Sequence, residues 1–184
     1  MPTRYQPRHR AERPSPVRRA VGAGVGTGVA TAVVAGSVAA APATAAGHDG
    51  STTRQDRIEQ GLQVVRNQTG DPYAYGADGP DRFDCSGLVY YAFRKVGFDH
   101  VPRTSEDQAR HMNRLEDRGD LRPGDFVFFY DGAATAENVY HVGVFAGWKD
   151  GHRVILHSPS EGKDVGRDPI WDDDWFGGTL RGLG

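Results

Sequence analysis

The chain contains a single cysteine, Cys85, among its 184 residues. One cysteine cannot form an intrachain disulfide, so a disulfide-stabilised scaffold is excluded. The sequence also lacks internal repeats, and its formal net charge of −2 offers no basic excess for binding nucleic acid. An unpaired thiol is a liability in an oxidising compartment unless it joins chains or serves as a reactive group.

The first 46 residues differ in composition from the rest and are typical of an export signal. Six arginines form a basic start, an uncharged Ala/Gly/Val run covers 21–40, and Ala43-Thr44-Ala45 supplies small residues for cleavage. Arg18-Arg19 leaves twin-arginine export open beside general export. A disordered basic tail and a permanent membrane span are the alternatives. Removing the leader takes away six Arg and one Glu, which changes the net charge from −2 to −7 and argues against a nucleic-acid partner.

The remaining chain is predicted to form a linker over 47–56 and one α+β domain over 57–184. Apolar spacing predicts helices around Ile58–Val65 and behind Cys85, and a capping box at Ser105–Gln108 predicts a third. Buried strands are predicted over Phe126–Tyr130, Val139–Gly147 and His152–Ser158, an irregular segment over Pro169–Gly178 and a closing edge strand over Thr179–Leu183. Helices followed by strands indicate helices packed on a mostly antiparallel sheet.

Cys85 is predicted to lie in the first turn of its helix, with Asp84 as the N-cap. Leu88, Ala92 and Val96 repeat on one face behind it, as expected for an amphipathic helix. The free N–H groups and the helix dipole at this end favour a thiolate over a thiol. The alternative is an inert, buried core cysteine.

Two histidines occur in the strands that would pair as a hairpin. His141 opens the first strand and His157 lies near the end of the second, whereas His100, His111 and His152 are predicted to be surface residues. A five-residue connection over 147–151 would set His141 directly opposite His157, and a connection one residue shorter would place them on opposite faces. The sequence therefore predicts a facing imidazole pair that depends on an odd-length connection.

A thiol and two histidines suggest nucleophilic acyl transfer without a metal or other cofactor. Cys85 would attack a carbonyl, His141 would hold and return the proton, and His157 would fix the ring and tautomer of His141. The alternative is a metal site, because Cys and His are also zinc ligands, although no fourth ligand is apparent.

Six sequence blocks in order resemble the NlpC-type bacterial cell-wall peptidases, a papain-like family. The blocks are Tyr73-Ala74-Tyr75-Gly76-Ala77, Phe83-Asp84-Cys85-Ser86-Gly87-Leu88, Pro102-Arg103-Thr104-Ser105 with Gln108, Leu121-Arg122-Pro123-Gly124-Asp125, His141-Val142-Gly143-Val144 and Leu156-His157-Ser158-Pro159. The resemblance covers nearly all of the chain after the leader. It departs at Tyr75-Gly76-Ala77, where the family often has Trp-Gly-Gly, so the rim of the cleft is expected to differ.

The resemblance implies a nucleophile, a base and an orienting residue at Cys85, His141 and His157. Tyr73 matches the family tyrosine whose hydroxyl faces the oxyanion site. Three further positions match residues that contact the stem peptide of peptidoglycan: Asp84, Ser86 and Ser105.

The expected function is that of a secreted peptidoglycan endopeptidase that cuts the stem peptide between D-Glu and diaminopimelate. The expected partners are stem peptides alone, with the mature protein a monomer that keeps no membrane span. Another reaction on the same fold, such as that of an amidase or transacylase, is the first alternative. A non-catalytic wall-binding module is the second.

Overall fold

The computed structural model describes residues 53–182, and the predicted leader and the start of the predicted linker lie outside the described residues. Three helices come first, with bounds α1 Arg54–Asn67, α2 Cys85–Lys95 and α3 Ser105–His111. Six strands follow: β1 Asn113–Arg114, β2 Phe126–Tyr130, β3 Val139–Lys149, β4 His152–His157, β5 Gly166–Pro169 and β6 Trp175–Thr179. The strands form one sheet in the order β1-β6-β2-β3-β4-β5, and each pair is antiparallel. The α+β class predicted from the sequence is confirmed.

The helix starts follow local capping chemistry. Thr53 caps α1 in a capping box with Asp56, so the helix begins at Arg54, ahead of the domain start predicted at residue 57. In α3 the N-cap is Thr104, whose hydroxyl accepts from the N–H of Asp107, and not Ser105 as the capping-box pattern predicted. The shift by one residue frees Gln108 to point into the protein, where it is fully buried.

The two faces of the sheet carry separate apolar clusters. On the helical face Phe93 of α2 packs edge-on against Phe126 of β2, with ring centroids 4.7 Å apart. The other face is filled by a second cluster: Leu121, Val127, Phe129, Phe145, Ile155 and Trp175. Alternation along β2 and β3 accounts for this division, because successive side chains point to opposite faces. The helical face therefore anchors α2, and with it Cys85, against the sheet.

The prediction for the C-terminal segment is wrong. Residues 175–179 form an internal strand, β6, between β1 and β2, and no closing edge strand forms beyond it within the described residues. A Cβ on Gly177 or Gly178 would lie 2.8 Å from a neighbouring side chain, Leu115 and Phe128 respectively. These glycines leave room for core side chains in a fully buried strand.

Candidate active site

Cys85 is the first residue of α2, as the sequence predicted. The Asp84 carboxylate caps the helix by accepting from the N–H of Gly87 at 2.6 Å. The cysteine side chain is only partly buried by its neighbours. The N–H of Val142, the residue after His141 on β3, hydrogen-bonds its sulfur. This contact joins the start of α2 to the strand that carries the first histidine.

The pKa of the Cys85 thiol is raised, chiefly by burial, and this corrects the expectation of a resting thiolate. The N–H groups of Val142, Ser86 and Cys85 favour the thiolate, as a helix start should, but they do not compensate for desolvation. The negative charge of Asp84 raises the pKa further. The group is therefore a thiol at rest that needs a base to ionise it.

Asp84 is held by a dense set of donors. Arg103 forms a two-pronged ion pair with it, Nη1 to Oδ1 at 3.0 Å and Nη2 to Oδ2 at 2.7 Å. The N–H of Gly76 donates to Oδ2 at 2.9 Å. Arg103 also donates to the carbonyl of Ala77 at 3.2 Å. The Asp84 carboxylate thus fixes the 73–78 loop, α2 and the segment before α3 to one another. Its pair with Arg103 has the bidentate geometry that suits arginine.

The two serines predicted to contact substrate lie close to this network and are nearly buried. Ser86 donates to Asp84 Oδ1 at 3.2 Å and accepts from Arg103 at 3.1 Å. Ser105 donates to Glu106 at 3.3 Å. Gln108 donates to the carbonyl of Ser86 at 2.9 Å, so the start of α3 supports the start of α2. The polar groups of Asp84 and Ser86 are therefore engaged within the protein, and their role toward substrate stays a prediction.

Tyr73 lies beside the cysteine. Its segment pairs with Phe83 through an isolated parallel bridge, which sets it next to the turn that enters α2. Burial raises the pKa of the Tyr73 hydroxyl, and the electrostatic influence of Cys85 and Asp84 raises it further. The hydroxyl is thus a neutral donor close to the thiol, as an oxyanion-binding role requires.

His141 and His157 are in direct contact, with 2.8 Å between His141 Nε2 and His157 Nδ1. The prediction of a shared face is confirmed, but the predicted register is wrong. The strands pair Lys149 with His152 across a tight turn, and further along Val144 pairs with Leu156. Continuing this register puts His157 opposite Gly143, so the two histidines are diagonal neighbours instead of direct partners.

The connection itself also differs from the prediction. It is a two-residue turn at Asp150-Gly151, with φ of 51° and 81°, which is the chemistry of a type I′ hairpin. A turn of even length would place the histidines on opposite faces. A one-residue register shift between Phe145 and Gly147 supplies the missing residue and restores the shared face. A β-bulge at Ala146 therefore does what the odd-length loop was expected to do.

Gly143 leaves space for the histidine pair. A Cβ on this residue would lie 3.3 Å from the Cβ of His157 and 2.6 Å from Cδ1 of Ile155. Without a side chain at 143, the His157 ring reaches diagonally across β3 to His141. Burial, together with the neighbouring His157, lowers the pKa of His141 from 6.5 to about 3. Both rings are neutral at pH 7, because burial also lowers the pKa of His157.

Two contacts of the histidine pair were missed by the sequence reasoning. Asp168 Oδ2 lies 2.9 Å from His157 Nε2, from a strand, β5, that was not predicted. Trp171 stacks on Phe129 at 4.2 Å and its ring lies 5.6 Å from His141 and 5.2 Å from His157. No sequence signal identifies Asp168, whereas an aromatic residue in the acidic segment 169–178 was a visible clue.

The arrangement can perform acyl transfer. It provides a thiol, a neutral imidazole pair in contact, and nearby N–H and hydroxyl donors for a developing oxyanion. Across residues 53–182, no group of three or more His, Cys, Asp or Glu side chains is arranged to hold a metal ion. In the same part of the chain no helix is long and apolar enough to cross a membrane.

The fold and the thiol–imidazole site define a domain of the NlpC-type peptidase class. A model of the NlpC/P60 family matches residues 70–180, which include Cys85 and both histidines, and the chain belongs to this family. The resemblance drawn from the six sequence blocks is confirmed.

The relatives include endopeptidases from two bacterial groups. A probable endopeptidase of Corynebacterium glutamicum is 37% identical over 118 residues, covering 64% of this chain and 48% of the relative. The murein DD-endopeptidase MepH of Escherichia coli is 35% identical over 130 residues, covering 65% and 44% respectively. The chain therefore spans about half the length of these curated relatives.

Two solved structures have the same fold. The P60 domain of an antigen from Mycobacterium avium subspecies paratuberculosis is 27% identical with a TM-score of 0.56, covering 67% of this chain and 94% of that one. The peptidoglycan hydrolase RipB of Mycobacterium tuberculosis is 26% identical with a TM-score of 0.56, covering 68% and 65%.

Proposed function

We propose that the protein is an exported peptidoglycan endopeptidase that hydrolyses an amide bond in the stem peptide with Cys85 as nucleophile. The observation that carries the proposal is the placement of Cys85 at the start of α2, hydrogen-bonded to the residue after His141, whose ring contacts His157. Relatives named as endopeptidases and as a peptidoglycan hydrolase support the substrate class.

The mechanism follows from the resting protonation states. Because Cys85 is a thiol and His141 is neutral, His141 removes the thiol proton as the sulfur attacks the carbonyl carbon. The tetrahedral intermediate places its negative oxygen toward nearby donors, for which the Tyr73 hydroxyl is the candidate. His141 then gives its proton to the leaving amine, and a water activated by the same ring hydrolyses the thioester and restores the thiol.

We propose the D-Glu to diaminopimelate amide as the bond that is cut. The name of the E. coli relative, a murein DD-endopeptidase, favours a second candidate, the cross-link between two stem peptides. A third candidate, amidase chemistry on the same fold, would release whole stem peptides from the glycan. Purified muropeptides distinguish the three by mass spectrometry of the products.

The digestion uses an uncross-linked disaccharide-tetrapeptide and its cross-linked dimer. Cleavage after D-Glu shortens the stem of the uncross-linked muropeptide, whereas a DD-endopeptidase leaves it intact and converts dimers to uncross-linked units. The matched control is Cys85→Ala, which should abolish turnover. Persistent cleavage by Cys85→Ala, or inhibition by a chelator but not by a thiol alkylator, contradicts the thiol mechanism.

Export rests on the leader over residues 1–46 and on the reactivity of a lone thiol. The test is N-terminal sequencing of the protein recovered outside the cytoplasm of an expressing bacterium. A new N-terminus within the small-residue segment 43–47 is expected. Recovery of the full-length chain in the cytoplasm alone would contradict export.

A further inference from the structure

Asp168 extends the contact between the two histidines to a third group. Its Oδ2 lies 2.9 Å from His157 Nε2, and His157 Nδ1 lies 2.8 Å from His141 Nε2. Asp168 belongs to β5, where Gly166 pairs with His157, so the carboxylate approaches diagonally across the sheet. The three side chains form one continuous hydrogen-bonded chain from the edge strand to the proposed base.

The direction of the protons along this chain follows from the acceptor at its end. A carboxylate can only accept, so His157 must carry its proton on Nε2. A neutral His157 then has a lone pair on Nδ1 and accepts from His141 Nε2–H. A neutral His141 with its proton on Nε2 has its free lone pair on Nδ1, the nitrogen that does not face His157 and is available to a thiol.

Without Asp168, the opposite placement of the protons would satisfy the hydrogen bond between the two rings equally well. His157 could then carry its proton on Nδ1 and donate to His141 Nε2, which would place the His141 proton on Nδ1. In that tautomer the imidazole offers no lone pair to the thiol. Both hydrogen-bond patterns keep the short contact between the rings, so only the acceptor beyond His157 distinguishes them.

We propose that Asp168 is a positioning residue that acts through His157 to fix the tautomers of both histidines, keeping His141 Nδ1 free to accept the Cys85 proton. The expected effect on turnover rests on the proposed function, whereas the effect on the histidine tautomers does not. After proton transfer the same chain stabilises the His141 imidazolium, because each donor faces an acceptor and the carboxylate charge lies at its end. The Asp168 side chain is about half exposed, with an exposure of 55%.

The two readouts are the nitrogen NMR spectrum of the histidines and steady-state kinetics of the full chain. The ring nitrogens of ¹⁵N-histidine report which one is protonated, and His141→Gln and His157→Gln assign the signals among the seven histidines. Wild type should show single Nε2–H tautomers for both rings near pH 7. In Asp168→Ala, which removes the acceptor, the Nδ1–H tautomer should appear, with kcat falling about ten- to hundredfold and KM nearly unchanged. Asp168→Asn keeps an acceptor in its amide oxygen, so it should retain the Nε2–H tautomers.

Asp150→Asn is the matched control. It removes the same charge from an exposed aspartate at the far turn of the hairpin, where φ is 51° and Asn is tolerated. This variant should keep the wild-type tautomers and kcat. Unchanged tautomers in Asp168→Ala overturn the proposal whatever the activity, and changed tautomers with an unchanged kcat overturn the positioning role. If the wild-type protein is inactive but Asp168→Ala shows the expected tautomer change, the proposed function is refuted and the role of Asp168 in fixing the tautomers is supported.

Discussion

Replacing Gly87 by alanine sets helix propensity against tertiary packing at the start of α2. Alanine is the better helix former by about 0.5–1 kcal/mol, so propensity alone predicts a more stable protein. The structure predicts the opposite sign. A Cβ at 87 would overlap the carbonyl oxygen of Ala77 and lie 3.0 Å from both the Ala77 carbonyl carbon and Asp78 Cα. These are backbone atoms, so no side-chain rotation relieves the overlap.

The expected cost follows from how far the backbone must move. Carbon atoms normally approach to about 3.5–4.0 Å, so the 77–78 segment and α2 must separate by at least about 0.5 Å. Overpacking of this kind costs about 1–3 kcal/mol. The separation also weakens the hydrogen bond from Asp84 N–H to the Ala77 carbonyl, now 2.8 Å, worth about 1 kcal/mol. After the propensity gain is subtracted, Gly87→Ala should destabilise the fold by about 1–3 kcal/mol.

The same movement displaces the thiol. Misplacing a reacting group by about 1 Å can cost about a hundredfold in rate, so kcat/KM should fall about ten- to hundredfold. Urea unfolding measures the stability, and muropeptide digestion together with the alkylation rate of Cys85 measures the site. Gly61→Ala is the control, because its Cβ would lie 2.8 Å from the Phe93 ring and away from Cys85. It should lose stability but keep kcat/KM within about twofold, since overpacking acts there on the core alone.

A Gly87→Ala protein that is as stable as wild type, with unchanged kcat/KM and alkylation rate, would refute this reasoning. It would mean that the 73–78 loop yields without moving the helix. If Gly87→Ala loses stability but the reactivity of Cys85 does not change, the prediction that the movement displaces the thiol is contradicted.

Three further predictions concern the histidines. Deleting Ala146 removes the bulge, so His141 should point away from His157. Turnover of muropeptides should then fall by about a thousandfold or more, while circular dichroism shows a folded protein. Retained activity would contradict the register argument. Because burial lowers the pKa of His141 from 6.5 to about 3, the unfolded chain binds a proton that the folded protein excludes. Stability should therefore fall as the pH drops from 6.5 toward 3, and urea unfolding of His141→Gln should show a smaller fall. An equal fall in the variant would contradict the pKa argument. Trp171→Ala should admit water to the rings and raise the pKa of His141, measured by NMR titration, whereas Trp148→Ala, which removes an exposed indole at the other end of β3, should leave it unchanged.

Much of the site could be predicted because its signals are local. Asp84 precedes Cys85 and a regular apolar repeat, which fixes an N-cap and a helix start within a few residues. The ordered blocks around Tyr73, His141 and His157 then indicated the family. These features depend on neighbours in the chain, so the sequence carries them directly.

The predictions failed where the outcome depends on packing between distant segments. Helix-start chemistry favoured a thiolate at Cys85, but burial against the sheet raises its pKa instead. The segment Pro169–Gly178 was predicted to be irregular, yet its end forms a buried strand in which Leu115 and Phe128 fill the space left by Gly177 and Gly178. Neither environment is visible in the local pattern.

The amino-acid sequence by itself determined the helix that presents Cys85, the strands that carry the histidines and the family to which the chain belongs. Only the tertiary structure decided how those histidines meet. The two-residue turn at Asp150-Gly151 would place the histidines on opposite faces, and the bulge at Ala146 returns them to one face. Strand β5 places Asp168 beside His157. The physical reason is that side-chain direction in a strand alternates with every residue, so one inserted residue far from the turn reverses the face. Such an insertion is set by pairing across the sheet, which no single stretch of sequence specifies.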